Sequence, residues 1–317
     1  MFKRILGLLA IVSVLASCVE KRDLSKNIVV SHILSNPDGL HPFNDNSVMR
    51  SFIFNYTQKS LVKLDLESLE YYPSLAKNLA EISEDGLRYT FELREDIRWD
   101  DGTLITAEDV LFTTKLQLCP LTDNAQIRGN YTSVIKSVEL YPENPRKFTM
   151  IAWDKHVSNS TIYSEIWIQQ KAHWDPEGVL DDLSFEDIHA TTFKEKESWS
   201  EWFNAFNHGD NRYKPENLVG LGPYQVTEWE TGSYITIAKK DNWWGESDSS
   251  IYNQNNPKEI IFKIITDDAA VFLSLKSQEL DVTNRIGTSK LFKLQKHDYF
   301  NDAYPVSYTH LTLPTRY

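Results

Sequence analysis

Between Asp85 and Leu118 the sequence asks for a strand, a turn and a capped helix in immediate succession. Tyr89, Phe91 and Leu93 alternate with Thr90, Glu92 and Arg94, the period-two pattern of a strand that buries one face. Asp101-Gly102 supplies a turn, because glycine accepts a positive φ that a side chain resists. Thr106 with Asp109 three residues on is a capping-box pattern, and Val110, Leu111 and Leu118 continue an apolar helix face. These constraints name elements and no function.

The rest of the chain punctuates in the same way. Ile28-Val29-Val30 opens a strand, and Asn36-Pro37-Asp38-Gly39 is a dense turn signal. Phe52 to Leu64 reads as a helix, or a helix followed by a strand. Val138-Glu139-Leu140 and Lys147 to Ile151 pair around the turn Pro142-Glu143-Asn144-Pro145. Ser160 to Asn217 is less regular and rich in Trp, Asp and Glu. Tyr224 to Trp229 and Tyr234 to Ala238 form a hairpin about Thr231-Gly232. Ile260 to Ile265 is a buried strand, after which Thr266 or Asp267 caps a helix carrying Val271, Phe272 and Leu275.

The N-terminus reads as an address. Phe2-Lys3-Arg4 is basic, and Ile5 to Ala16 is apolar but too short for a bilayer, which needs about 20 residues. Leu15-Ala16-Ser17-Cys18 has the form of a bacterial lipobox, with Cys18 the lipidated residue and Glu20-Lys21-Arg22-Asp23 an abrupt polar start. The chain carries 33 basic and 45 acidic side chains, net −12, and loss of Lys3 and Arg4 with the leader makes that −14. Neither nucleic acid nor an anionic membrane surface suits such a charge. Lipidation of Cys18 leaves Cys119 alone, so no intrachain disulfide is available and the core must hold the fold. Aromatics make up 12% of the chain, with nine Trp, enough to fill a core and line a cleft.

Catalytic and metal motifs do not emerge. There is no G-x-S-x-G elbow, no H-E-x-x-H, no GK[ST] loop and no CxxC pair. His32 and His41 read as ordinary loop residues rather than metal ligands. Asp100-Asp101, Asp181-Asp182 and Asp267-Asp268 read as capping or solvated acids, so no residue takes a catalytic role and no cofactor is called for.

The wording of residues 85–112 resembles the signature of the family 5 extracellular solute-binding proteins, the peptide- and nickel-binding receptors of ABC importers. There "DG-x-x-(Y/W)-x-F-x-L-R" is followed by "(K/R)-(W/F)-x-DG-x-x-(L/I/V)-T-A-x-DV". Pro73-Ser74-Leu75-Ala76 is similar to its "P-x-LA" segment. Gly222-Pro223-Tyr224, Trp229 and Asp241-Asn242-Trp243-Trp244-Gly245 are similar to its "G-PY…W…G…N-x-x-(Y/W)-W" block. Ser277 to Val282 resembles its "SG-E-(I/L)-D" element, with Gln278 in place of Gly. The four blocks keep family order and span Ile28 to Tyr304.

The resemblance implies an α/β, periplasmic-binding-protein-like (type II) first lobe with an inserted smaller mixed α/β domain, the second lobe missing from a C-terminally truncated chain. On that reading 1–17 is a lipoprotein signal peptide, 18–27 a tether, 28–56 and 156–304 lobe one, and 57–155 the insertion. Residues 305–317 read as a non-native tail. The implied function is a periplasmic, membrane-anchored, monomeric substrate-binding lipoprotein that captures peptides for ABC permease subunits and is not an enzyme. A nickel-chelate or oligosaccharide receptor is the alternative, and a secreted hydrolase the more distant one. Leu40-His41-Pro42 resembles the family's "L-x-P" element, which assigns Ser35, Asn36, Pro37 and Asp38 to the ligand-contacting loop. Thr283, Asn284 and Arg285 follow the "ELD" element and by the same resemblance face the cleft, Arg285 ready for a ligand carboxylate.

Overall fold

Three sheets carry the fold in a computed structural model that describes residues 24–296 except 46, 66, 67, 165, 249, 251, 252 and 254. The first is mixed, in the order β1 (Ile28–Ile33), β10 (Glu259–Ile264), β9 (Tyr234–Lys239), β8 (Tyr224–Glu230). β1 runs parallel to β10, and the other neighbours are antiparallel. The expected hairpin joins β8 to β9, and Gly232 takes φ +77° in its turn. β10 is buried on both sides: Ile260 and Phe262 join the cluster of Ile33, Leu40, Phe54 and Ile235, while Ile261 and Ile265 pack with Val271 and Leu275.

A helix, Val48–Thr57, closes over this sheet with Ile53 and Phe54 fully buried. Burying such side chains contributes about 1.5–3 kcal/mol each. Ser47 caps its start through Oγ, which accepts from the Met49 N–H at 3.1 Å. Its other end explains Gly222: the N–H donates to Thr57 O at 3.0 Å, and a Cβ at 222 would run into the backbone of Tyr56 and Thr57.

The signature stretch builds the second large sheet, in the order β4 (Glu81–Ile82), β5 (Arg88–Glu92), β7 (Lys147–Ala152), β6 (Ile135–Leu140), all antiparallel. Tyr89, Phe91 and Leu93 are buried as their alternation requires, and Gly102 turns the chain at φ +84°. The helix Ala107–Leu118 begins at the capping box, the Thr106 N–H donating to Asp109 Oδ2 at 2.9 Å. A two-stranded ribbon, β2 (Val62–Leu64) with β3 (Tyr71–Pro73), lies between the two sheets in sequence.

The less regular region resolves into short helices, among them Asn159–Ser164, Phe185–His189 and Glu197–Phe206. Tyr163, Ile168, Trp199 and Phe203 belong to one continuous core with Phe91, Val110 and Phe148. That core therefore runs across position 156, where the sequence marks a boundary. The paired acids are structural: Asp100 holds buried Lys240 at 2.7 Å, Asp182 holds Lys196 at 2.7 Å, and Asp267 Oδ1 caps the helix Asp268–Lys276 by accepting from the Ala270 N–H.

Candidate functional site

On the side of β1 away from β10, the chain after Leu280 adds a third parallel segment. Ser31 bridges Val282 in parallel, the His32 N–H donates to Val282 O at 3.1 Å, and the Asp281 N–H to Val30 O at 2.9 Å. Asp281 Oδ2 also accepts from the Val30 N–H at 2.7 Å. Three parallel segments thus end together at residues 33, 264 and 282. The ground outside the carboxyl ends of parallel strands is where α/β sheets present ligand sites, because chains diverge there and leave a crevice.

His32 fastens these ends. It is a buried strand residue, not the loop residue its position beside the turn implied, because β1 extends to Ile33 before the chain bends. Its Nε2 lies 2.8 Å from Ile265 O, which can only accept, so Nε2 carries a proton. In the neutral ring Nδ1 then accepts from the Thr283 hydroxyl at 3.0 Å. Thr283 Oγ1 in turn accepts from the Arg285 N–H at 3.2 Å and shapes the 283–285 turn. A single imidazole thereby links all three strand ends.

Both sets of sequence-assigned residues sit on this edge. Ser35 and Asp38 are exposed, Asn36 is half-buried and Pro37 is buried. Asn36 Oδ1 accepts from Trp229 Nε1 at 3.1 Å and from the Gly232 N–H at 3.2 Å, and its Nδ2 donates to Pro37 O. Asn36 therefore pins the loop to the β8–β9 hairpin. Thr283 is turned inward to His32, while Asn284 and Arg285 are exposed, and Arg285 Nε lies 3.9 Å from Asp268 Oδ1 in a loose surface pair. Cys18, the lipidation candidate, and the tail from 305 lie outside the described residues.

The loop leaving residue 38 is anchored in the interior. Asp45 is wholly buried; one oxygen accepts from the His41 N–H at 2.7 Å and the other from Arg212 Nε at 2.9 Å and a terminal guanidinium nitrogen at 2.5 Å. Gly39 packs on that carboxylate, where a Cβ would overlap it. His41 donates Nε2–H to Phe206 O at 2.9 Å, and its Nδ1 accepts from the Phe43 and Asn44 N–H groups. Burial drives its pKa down from 6.5 to about 3, so it stays neutral. No sequence signal announced His32 or Asp45, since Ile265, Thr283 and Arg212 lie far along the chain from them.

Comparison with known proteins decides the family. Residues 70–316 match the bacterial extracellular solute-binding proteins, family 5 Middle. The chain belongs to that family. Among family 5 relatives it is similar to the oligopeptide-binding protein AppA of Bacillus subtilis, 25% identical over 234 residues, covering 73% of this chain and 36% of the relative. Its fold is similar to that of the periplasmic binding protein DppA from Helicobacter pylori in complex with the peptide STSA (TM-score 0.66, 17% identity, 86% of this chain and 49% of that one). It is similar too to NikZ from Campylobacter jejuni in complex with Ni(L-His) (TM-score 0.60, 22% identity, 86% and 46%). The chain thus spans 36 to 49% of the length of these three relatives, and its α/β architecture is that of part of the family 5 fold.

Proposed function

We propose that this chain captures peptides outside the cytoplasmic membrane and presents them to the permease subunits of an ABC importer, held at the membrane by lipid on Cys18. The observation that carries the reading is the His32-locked edge, where the loop 35–38 and the turn 283–285 emerge side by side from parallel strands. Backbone there suits an extended ligand that adds to the sheet by main-chain pairing, with side chains contributing little. Pro37 removes one donor from that pairing, and Arg285 would meet a ligand carboxylate. Ligand capture closes lobe one against a second, and the permease distinguishes open from closed.

Titration calorimetry on the protein expressed from its own gene tests this, with random di- to pentapeptides, nickel–histidine chelate and oligosaccharides as ligands. Peptides of unrelated sequence are expected to bind with similar affinity. Binding of nickel chelate or sugar without peptide would transfer the assignment to that ligand; the likeness to NikZ makes the chelate the second reading.

A further inference from the structure

The chain as a whole carries net −12, yet from Thr283 to Lys296 it has four cations and no acid. Three of those cations, Lys290, Lys293 and Lys296, belong to the helix Thr288–Leu294 and the turn that ends it. Leu294 is fully buried in the cluster of Val30, Val271, Leu275 and Leu280, and Leu291 packs against the same cluster. At 3.6 residues per turn, burying Leu291 and Leu294 turns Phe292, Lys293 and Lys296 to the opposite side. All three are exposed, Phe292 by 60%, and Lys290 is half-buried on the flank. None of the three lysines pairs with a described carboxylate. Of the acids on the elements that pack here, Asp281 Oδ2 is turned inward to the Val30 N–H and Asp267 caps the helix Asp268–Lys276. Glu279 lies 3.7 Å from Lys263, Asp268 lies 3.9 Å from Arg285, and Glu259 is half-buried at the start of β10.

This helix returns the chain to the beginning of β1. Val30, in its cluster, is the third residue of that strand. The entry to the strand is fixed, because Asn27 Nδ2 donates to Asn256 O at 2.6 Å and Asn27 O accepts from the Lys258 N–H at 2.8 Å. Lys26, exposed just before it, adds another cation. From Cys18 to Ile28 the chain advances ten residues, at most about 35 Å when fully extended. With Cys18 held in a bilayer, the start of β1 stays within that reach of the lipid. A tether of this kind raises the local concentration of a weak second contact, and stable attachment takes two signals.

We infer that the outer face of the helix Thr288–Leu294, with Phe292 set among Lys290, Lys293 and Lys296, docks on an anionic phospholipid surface and fixes how the anchored protein lies on its membrane. The inference rests on the lipid anchor at Cys18 proposed above. The phenylalanine ring enters the headgroup layer while the ammonium groups stay with the phosphates. Each lysine near such a surface is worth about fivefold in partitioning, a modest contact alone and a sufficient one to orient a protein already tethered. The sign of the whole chain keeps the rest of its surface off the anionic lipid, so the local reversal of charge selects this face.

The test is amine footprinting by mass spectrometry on the full protein expressed from its own gene, reconstituted on phosphatidylcholine vesicles or on an equimolar mixture with phosphatidylglycerol. Acetylation of Lys293 and Lys296 should be at least about fivefold slower on the anionic vesicles. Lys77, in an exposed pair with Glu92 on another part of the fold, should label equally on both. Salt at about 1 M, where the Debye length is about 3 Å, should remove the protection. The exposed pair Lys293→Gln and Lys296→Gln should return Lys290 to its rate on phosphatidylcholine. Equal labelling on the two vesicles, protection that survives salt, or protection of Lys290 that survives the double substitution would each overturn the docking face. Flotation with phosphatidylcholine vesicles reads the anchor separately. Protein that floats without lysine protection removes only the docking face. Protein that does not float removes the anchor, and the same lysine protection is then required in excess anionic vesicles, its absence overturning the docking face as well.

Discussion

Asp45→Asn is the sharpest probe of how the loop 35–45 is held. The substitution keeps the shape of the side chain and removes its charge. The remaining carbonyl oxygen can still accept from the His41 N–H, but the new amide N–H₂ then faces the donors of Arg212, or the reverse if it flips. A full buried-pair loss would cost about 3–5 kcal/mol. Arg212 is 30% exposed, so water takes up its guanidinium and the loss falls to that of one or two charge-assisted bonds, about 2–3 kcal/mol. For a chain of this size that corresponds to a drop in Tm of about 3–5 °C. Urea unfolding followed by tryptophan fluorescence would give the free energy, and hydrogen exchange would show the 35–45 backbone opening first. A change under about 0.5 kcal/mol, the range of an ordinary surface substitution, would refute the claim that this carboxylate organises the loop.

His32→Phe preserves bulk but strands Ile265 O and the Thr283 hydroxyl, at a cost of about 1–3 kcal/mol; faster hydrogen exchange at 283–285 is expected, and unchanged protection would contradict the clamp. His41 adds a pH dependence. Its folded pKa, about 3, lies below the ordinary 6.5, so on acidification the unfolded chain binds a proton that the folded one refuses. Stability should fall by about 1.4 kcal/mol per pH unit below pH 6.5 and level off near pH 3, and a flat profile between pH 6.5 and 4.5 would exclude it. Cys18→Ser should abolish palmitate labelling and membrane partitioning, because stable anchoring requires the acyl chains; equal labelling of both forms would remove the lipobox reading.

What the sequence made readable was local. The alternation of Tyr89, Phe91 and Leu93, the Thr106–Asp109 box, the Asp267 cap and the Gly232 turn each depend on neighbours within a few residues, and each stands in the structure as read. Even Gly222-Pro223-Tyr224 acquires a reason, since the glycine lets the chain touch the end of the helix Val48–Thr57. His32 and Asp45 were opaque because their meaning comes from residues brought in by the fold. Thr283 lies 251 positions from His32, and Arg212 lies 167 from Asp45. Histidine beside a turn is unremarkable until a strand is set against it.

The insertion of β1 between β10 and Val282 sets an order of assembly. The sheet containing β5 and β7 joins segments about sixty residues apart, so it can form while the chain is short, with little loop-closure cost. β1 is made almost first yet finds both its neighbours more than 200 residues later. Until then its hydrophobic edge has nothing to pair with, and the ground beyond its carboxyl end does not exist. Contact order places this edge among the last regions to take shape, and slow gain of hydrogen-exchange protection at 283–285 relative to secondary structure is the expected kinetic signature.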